Sequence, residues 1–168
     1  APTAPPPFSL RAEVRELKQV SRILFLNWPV FHVVMGITLV SFGGYGAGQF
    51  APPYFTRTFG LGYKEVGLII GLVAGLSQGL GTLLGGSITD RLASRGAHWH
   101  PLVPAIGITI SLPFIYGVYS APTWQMASLM LLLPGLFSYT YLGPSFGIIQ
   151  NVAPPHLRAT AAAVMLFF

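Results

Sequence analysis

From Val66 through Thr89 the chain carries no charged side chain. At 1.5 Å per helical residue such a run reaches about 36 Å, enough to cross the hydrocarbon layer of a bilayer. Gly67, Gly71, Gly75 and Gly79 recur inside it every fourth residue. That spacing puts them on one inclined helix row, where a neighbouring backbone can come close, so the row is predicted to be a helix-packing face. The run ends in Gly85-Gly86-Ser87-Ile88-Thr89-Asp90-Arg91-Leu92-Ala93-Ser94-Arg95-Gly96, where Asp90, the only acid beyond Glu65, sits beside two arginines.

The rest of the chain obeys the same constraint. Of its 168 residues 52% are hydrophobic and 8% charged, with a mean hydropathy of +0.64. A soluble domain carries about 25% charged residues, and so few charges could not cover a soluble core. The class expected is therefore an all-α, polytopic membrane protein. Cysteine is absent, which removes disulfides and thiolate metal sites and leaves the redox compartment unspecified. The net charge of +5 does not indicate nucleic acid, because the basic residues flank apolar spans as membrane topology requires. No short apolar core with a small-residue cleavage site opens the chain, so no cleavable signal peptide is expected. The first residue is not Met and the last, Phe168, comes soon after Arg158, so the chain reads as a fragment cut inside a span.

Residues 1–8, with Pro2, Pro5, Pro6 and Pro7, read as the end of a linker. Residues 9–26 read as an amphipathic cytoplasmic helix with Ser9 as its N-cap. Leu10, Val14, Leu17 and Leu24 share one face, and Arg11, Arg15, Lys18 and Arg22 another. Two readings stay open for it: a segment lying on an anionic leaflet, or a solvated lead-in that only satisfies the positive-inside rule. Residues 27–168 form a partial bundle with spans at about 28–50, 63–88, 102–119 and 124–151 and a truncated one at 158–168. The first span holds His32 and closes on a glycine-rich stretch where Tyr45 and Gln49, one turn apart, are cavity candidates or packing residues. Ala51-Pro52-Pro53-Tyr54 is expected to break the helix, leaving residues 54–63 as a connection. Thr89–Pro101 is expected as a turn, and Ser120–Thr123 as a hairpin short enough to make its neighbours antiparallel. The fourth span is predicted to be interrupted twice, at Pro134-Gly135 and Gly143-Pro144. Between those breaks Ser138, Tyr139 and Tyr141 make the most polar midspan patch, which is a cavity candidate or interhelical glue. With the N-terminus cytoplasmic, the inner segments hold Arg11, Arg15, Lys18, Arg22, Arg91, Arg95 and Arg158 and the outer ones Arg57 and Lys64, as the positive-inside rule demands.

Catalytic chemistry is poorly supplied. The four acids, Glu13, Glu16, Glu65 and Asp90, lie outside midspan, so paired carboxylates for acid and base work are lacking and no enzyme is expected. His98-Trp99-His100 offers two histidines without a third ligand at helical spacing, and reads as an interfacial turn rather than a metal site. No cofactor and no metal are expected. Asp90 remains as the residue with a mechanism. At a helix C-terminus the free carbonyls disfavour an acid, and Arg91, Arg95 or the N-terminus of another helix must compensate it. Such a contact acts as a gate between rocking bundles, or it is a static interfacial ion pair.

These residues resemble a known family. Gly86-Ser87-Ile88-Thr89-Asp90-Arg91-Leu92-Ala93-Ser94-Arg95 is similar to the loop motif of the major facilitator superfamily, with Ala93 and Ser94 departing from its usual glycine and basic residue. Pro154-Pro155-His156-Leu157-Arg158-Ala159-Thr160-Ala161 resembles the proline and arginine turn of the same transporters, two spans later. The resemblance implies helices seven to ten and the start of eleven of a twelve-helix transporter, the C-terminal half. Tyr54-Phe55-Thr56-Arg57-Thr58-Phe59-Gly60-Leu61, with the two turns and His98-Trp99, resembles the spinster-like branch, which exports sphingolipids and lysolipids. It implies a multi-pass protein of the inner or plasma membrane that moves an amphipathic small molecule by alternating access. Its partners would be a missing N-terminal half, membrane lipids and a lysolipid or organic anion, with proton coupling possible through the missing half, His32 or Glu65. Gly86, Asp90, Arg91, Arg95 and Arg158 would gate. The alternatives are an organic-anion symporter of the same superfamily, a noncatalytic membrane scaffold, and in third place a membrane enzyme.

Overall fold

The structure, a computed structural model, describes residues 9–167. The linker assigned to residues 1–8 lies outside the described residues, as does Phe168. The described residues form helices joined by short turns: α1 (Leu10–Leu26), α2 (Trp28–Phe59), α3 (Tyr63–Ala93), α4 (Trp99–Ser120), α5 (Trp124–Ser138), a 3-10 turn at Tyr139–Tyr141, α6 (Leu142–Val152), a second 3-10 turn at Pro155–Leu157, and α7 (Arg158–Phe167). Four stretches are long and apolar enough to cross a bilayer: Trp28–Phe59, Tyr63–Ala93, Trp99–Ser120 and Trp124–Val152. The shortest, at 22 residues, reaches about 33 Å as a helix, against a hydrocarbon thickness of about 30 Å. This is a multi-pass membrane protein.

Three expectations about boundaries are corrected. Ala51-Pro52-Pro53-Tyr54 does not break the first span, because α2 runs through both prolines to Phe59. A proline ring inside a helix crowds the carbonyl four residues back, which for Pro52 belongs to Gly48, a residue without a Cβ to hinder its tilting aside. The Thr56 hydroxyl donates to the Pro52 carbonyl at 2.9 Å. The helix stops where Gly60, at φ 68°, takes the left-handed conformation that closes helix C-termini, so the connection to α3 shrinks from residues 54–63 to 60–62.

The fourth span is interrupted once, not twice. Pro134 lies within α5, and the break is the 3-10 turn at Tyr139–Tyr141. Pro144 accounts for its place: it has no N–H to bond the Thr140 carbonyl, so the turn before it tightens. The turn after the second span is also shorter than Thr89–Pro101, since α3 continues past Asp90 to Ala93 and α4 starts at Trp99.

The described chain falls into two compact units, Gly36–Gly147 and a second made of residues 9–35 with residues 148–167. In the first, α3, α4 and α5 pack on one another and on the 3-10 turn. The close approaches use a different row of α3 from the predicted one. A Cβ on Gly67, Gly71, Gly75 or Gly79 meets nothing within 4 Å, whereas one on Gly81 collides with the Leu136 carbonyl and one on Gly85 with the Thr140 backbone. The packed row is Ser77, Gly81, Gly85 and Thr89, all buried. It faces a small partner in α5, since a Cβ on Gly135 would run into the Ser77 hydroxyl; α4 approaches the same turn through Gly107, whose Cβ would run into Thr140 and Phe137. Glycine spacing alone could not distinguish two rows that both repeat every fourth residue. At the end where α2 hands over to α3 and α4 to α5, Phe55, Val66, Val118, Ala121 and Ala127 form an apolar core. There the Tyr54 hydroxyl donates to the Tyr119 carbonyl at 3.1 Å.

In the other unit α1 packs on α7. Val20 and Leu24 of α1 are buried, as are Leu157, Ala161 and Met165, and the Thr160 hydroxyl donates to the Glu16 carboxylate at 3.4 Å.

Candidate functional site

A cavity of about 170 Å3 opens in the Gly36–Gly147 unit between α2, α3, α4 and α5. Its existence comes from side-chain size. Gly44, Ala47, Gly48 and Ala51 lie on one face of α2 at i, i+3, i+4 and i+7, and Ala74 and Gly135 face them from α3 and α5. None of them has enough bulk to close the gap. Phe55, Ile70, Ile115 and Leu131 make the remaining walls apolar.

Polar groups enter at a few points. Ser77 already donates to the Ala74 carbonyl at 3.2 Å. Gln78, Ser138 and Tyr139 also line the cavity, and among the described residues their side chains make no hydrogen bond within the chain. An apolar chamber with one amide and two hydroxyls free is suited to a guest that is mostly hydrocarbon with a polar end.

Two of the five sequence-predicted cavity residues, Ser138 and Tyr139, line this cavity. Tyr45 and Gln49 lie outside it: both are exposed on α2, one turn apart as expected. Tyr141 is buried and its hydroxyl lies 3.3 Å from that of Ser41, which ties the 3-10 turn to α2. Sequence reasoning misses Gln78, although it is the only side-chain amide in the apolar run of α3 and so carries a signal. Tyr54 and Tyr119, which reach the rim, give none beyond being aromatic.

In the charged turn, Gly86 meets α6 closely, its Cα 3.4 Å from a Cβ placed on Gly143. Asp90, Arg91 and Arg95 are exposed, and among the described residues Asp90 pairs with neither arginine. The expected local compensation is therefore not made. Just before it, Thr89 is 1% exposed and its hydroxyl oxygen is buried with no hydrogen-bond partner among the described residues. Arg158 is exposed at the start of α7, in the other unit.

Other ionisable residues have local duties. Glu65 accepts from the Gly62 N–H at 3.1 Å and caps α3. His32 lies one turn into α2 rather than at midspan, and its Nδ1–H donates to the Trp28 carbonyl at 2.8 Å. His100 bonds the Ala97 carbonyl at 3.2 Å. No group of three metal-binding side chains occurs among the described residues.

The sequence pattern of the Major Facilitator Superfamily matches residues 1–168. An MFS-type efflux pump of Mycolicibacterium smegmatis is 35% identical over 144 residues, which is 85% of this chain and 34% of that protein. Among solved structures, a bacterial homolog to the human lysosomal transporter Spinster, in an inward-facing and unoccupied conformation, superposes with a TM-score of 0.77 at 24% identity. That match covers 97% of this chain and 34% of the other. The chain thus spans about a third of the length of the relatives it matches.

Proposed function

This chain belongs to the major facilitator superfamily, and on that premise we propose that it is the C-terminal lobe of a secondary transporter that moves an amphipathic, lipid-like small molecule by alternating access. The observation that carries the reading is the cavity: apolar walls, with Gln78, Ser138 and Tyr139 unpaired at its polar points. Its volume of about 170 Å3 is well below the roughly 300–1,000 Å3 of a complete small-molecule site. A second lobe supplying the other wall accounts for the shortfall. The coverage of about a third of each relative fits the same arrangement.

Three further features support it. The Gly67-Gly71-Gly75-Gly79 row, open within this chain, is the surface on which the other lobe's backbone approaches. Asp90 stands in the last turn of a helix whose free carbonyls repel it. It lacks a partner among the described residues, so a helix N-terminus of the other lobe completes it when the cytoplasmic side is closed. Gly86, Arg91 and Arg95 belong to the same gate, and Arg158, at the start of α7, meets the corresponding turn of the other lobe. With Glu65 engaged as a cap and His32 bonded in the first turns of α2, a coupling proton is carried by the other lobe. The protein sits in the inner or plasma membrane with α1 in the cytoplasm.

The test is transport by the complete reading frame that carries this chain, reconstituted in liposomes with a fluorescent lysolipid and, separately, an organic anion. Lysolipid movement that Gln78→Ala or Tyr139→Phe weakens is the expected result. Movement of the organic anion alone would shift the reading to the organic-anion symporters, and movement of neither, with correct insertion, would leave a membrane scaffold and overturn it.

A further inference from the structure

Helix α1 carries more exposed apolar surface than its packing uses. Val20 and Leu24, buried at 1% and 0% exposure, suffice for the face against α7. Leu10, Val14 and Leu17, at i, i+4 and i+7, form an adjoining stripe that stays 70%, 48% and 45% exposed. Arg11, Arg15, Lys18 and Arg22 border that stripe along one edge, all exposed, and Arg11 and Arg15 also line a shallow recess with Glu16 and His156. The two acids are on the other side: Glu16 is held by Thr160, and Glu13 lies one turn before it. Four cations thus edge an open apolar stripe, while of the two acids Glu16 is engaged by α7 and Glu13 is exposed.

The position of the helix indicates what covers the stripe. Only Asn27 separates α1 from the membrane span that begins at Trp28. Trp28 is itself exposed and stacks on Phe31 at 5.9 Å, in the manner of an aromatic interfacial anchor. A helix joined to a span by one residue lies at the bilayer boundary, and one with an apolar stripe edged by cations fits that boundary lengthwise, stripe in the acyl layer and cations among the headgroups.

We infer that α1 is an anionic-lipid anchor: Leu10, Val14 and Leu17 insert into the leaflet, and Arg11, Arg15, Lys18 and Arg22 bind the phosphates of negatively charged lipids. Because α1 packs on α7, the lipid also fixes where α7 begins. The inference goes beyond the transport reading and does not rest on it, since it needs only that α2 spans a bilayer.

The experiment measures depth, so a failure of transport cannot mimic its failure. The complete reading frame carrying this chain is placed in nanodiscs of phosphatidylcholine alone or mixed with phosphatidylglycerol, with a spin label on Val14→Cys or, as a polar-face control, on Gln19→Cys. This chain has no cysteine of its own. With phosphatidylglycerol the Val14 label is expected to meet dissolved oxygen in preference to a water-soluble nickel chelate, and the Gln19 label the reverse. Replacing Arg11, Arg15, Lys18 and Arg22 together by Gln is expected to lower the oxygen-to-nickel ratio at Val14 by about fivefold or more, given the attraction of single basic side chains to anionic surfaces. A Val14 label in water in both bilayers would give the stripe to solvent or to a protein and overturn the inference. Equal immersion in both, unmoved by the four substitutions, would make the helix indifferent to lipid charge and overturn it as well.

Discussion

The Tyr141 hydroxyl lies 3.3 Å from the Ser41 hydroxyl, across a hundred residues of sequence. It is a side-chain bond that ties the 3-10 turn of the fourth span to α2, beside a cavity that Tyr139 of the same turn lines. Tyr141→Phe and Ser41→Ala are each expected to lower stability by about 0.6 kcal/mol, the usual worth of an interhelical bond in a membrane. The double variant should cost no more than either one, as read from thermal unfolding in detergent. Additive losses would show that the two hydroxyls do not act as a pair.

The two glycine rows of α3 should respond in opposite ways. Gly85→Ala puts a methyl group into the Thr140 backbone and is expected to destabilise by about 1–3 kcal/mol, as overpacking does. Gly71→Ala meets nothing within 4 Å in this chain, and removing a helix glycine adds up to about 1 kcal/mol. If the open row receives the other lobe, Gly71→Ala instead slows transport while the lobe itself melts no lower. Melting and transport measured on both variants separate these effects.

Thr89 buries a hydroxyl oxygen without a partner among the described residues, which ordinarily costs about 1–3 kcal/mol. Thr89→Val keeps the shape and removes the oxygen, so a rise in unfolding temperature is expected. A fall would mean that the oxygen is bonded in the assembled protein by a group from outside this chain.

Asp90→Asn keeps the size of the side chain and removes its charge. Under the gate reading it shifts the conformational equilibrium toward the form open to the cytoplasm, and a shift of about 1.4 kcal/mol is a tenfold change in populations. Distance measurements between labels on the cytoplasmic ends of the two lobes read this directly. Unchanged populations would leave Asp90 as a surface residue.

The cavity should report its guest by volume. Ala74→Leu fills space that α2's small face leaves open, and is expected to reduce transport of long-chain substrates more than short ones with little loss of stability. Equal effects on both would place the guest elsewhere.

Much of this architecture could be read from the residues. Runs without charge located the spans, and the charged turn at Asp90 and the proline turn at Pro154 fixed their registry. Inference failed wherever it depended on which neighbour a helix face meets. Tyr45 and Gln49 have the polarity of cavity residues, but it is their small neighbours on α2, Gly44, Ala47, Gly48 and Ala51, that border this cavity. Those small residues carry the information, and as a motif they are silent. The same holds for the two rows of α3, since both are regular and only the facing Leu136 and Thr140 decide between them. Pro52 and Pro53 misled because a proline rule drawn from helices in water overstates the break where adjacent glycines yield and lipid offers the backbone no competing partner. Gln78 carried a signal that went unread, as a lone amide in hydrocarbon.

The three-residue 3-10 turn at Tyr139–Tyr141 also has an angular effect. Each of its residues advances about 120° where an α-helical residue advances about 100°, so α6 is screwed forward by roughly 60° relative to α5. Gly143, Pro144 and Ser145 therefore present a different azimuth from the one a continuous helix would give them, and it is this offset that brings Gly143 to Gly86. Pro144→Ala, by restoring a donor for Thr140, would let the helix wind back and turn that contact away.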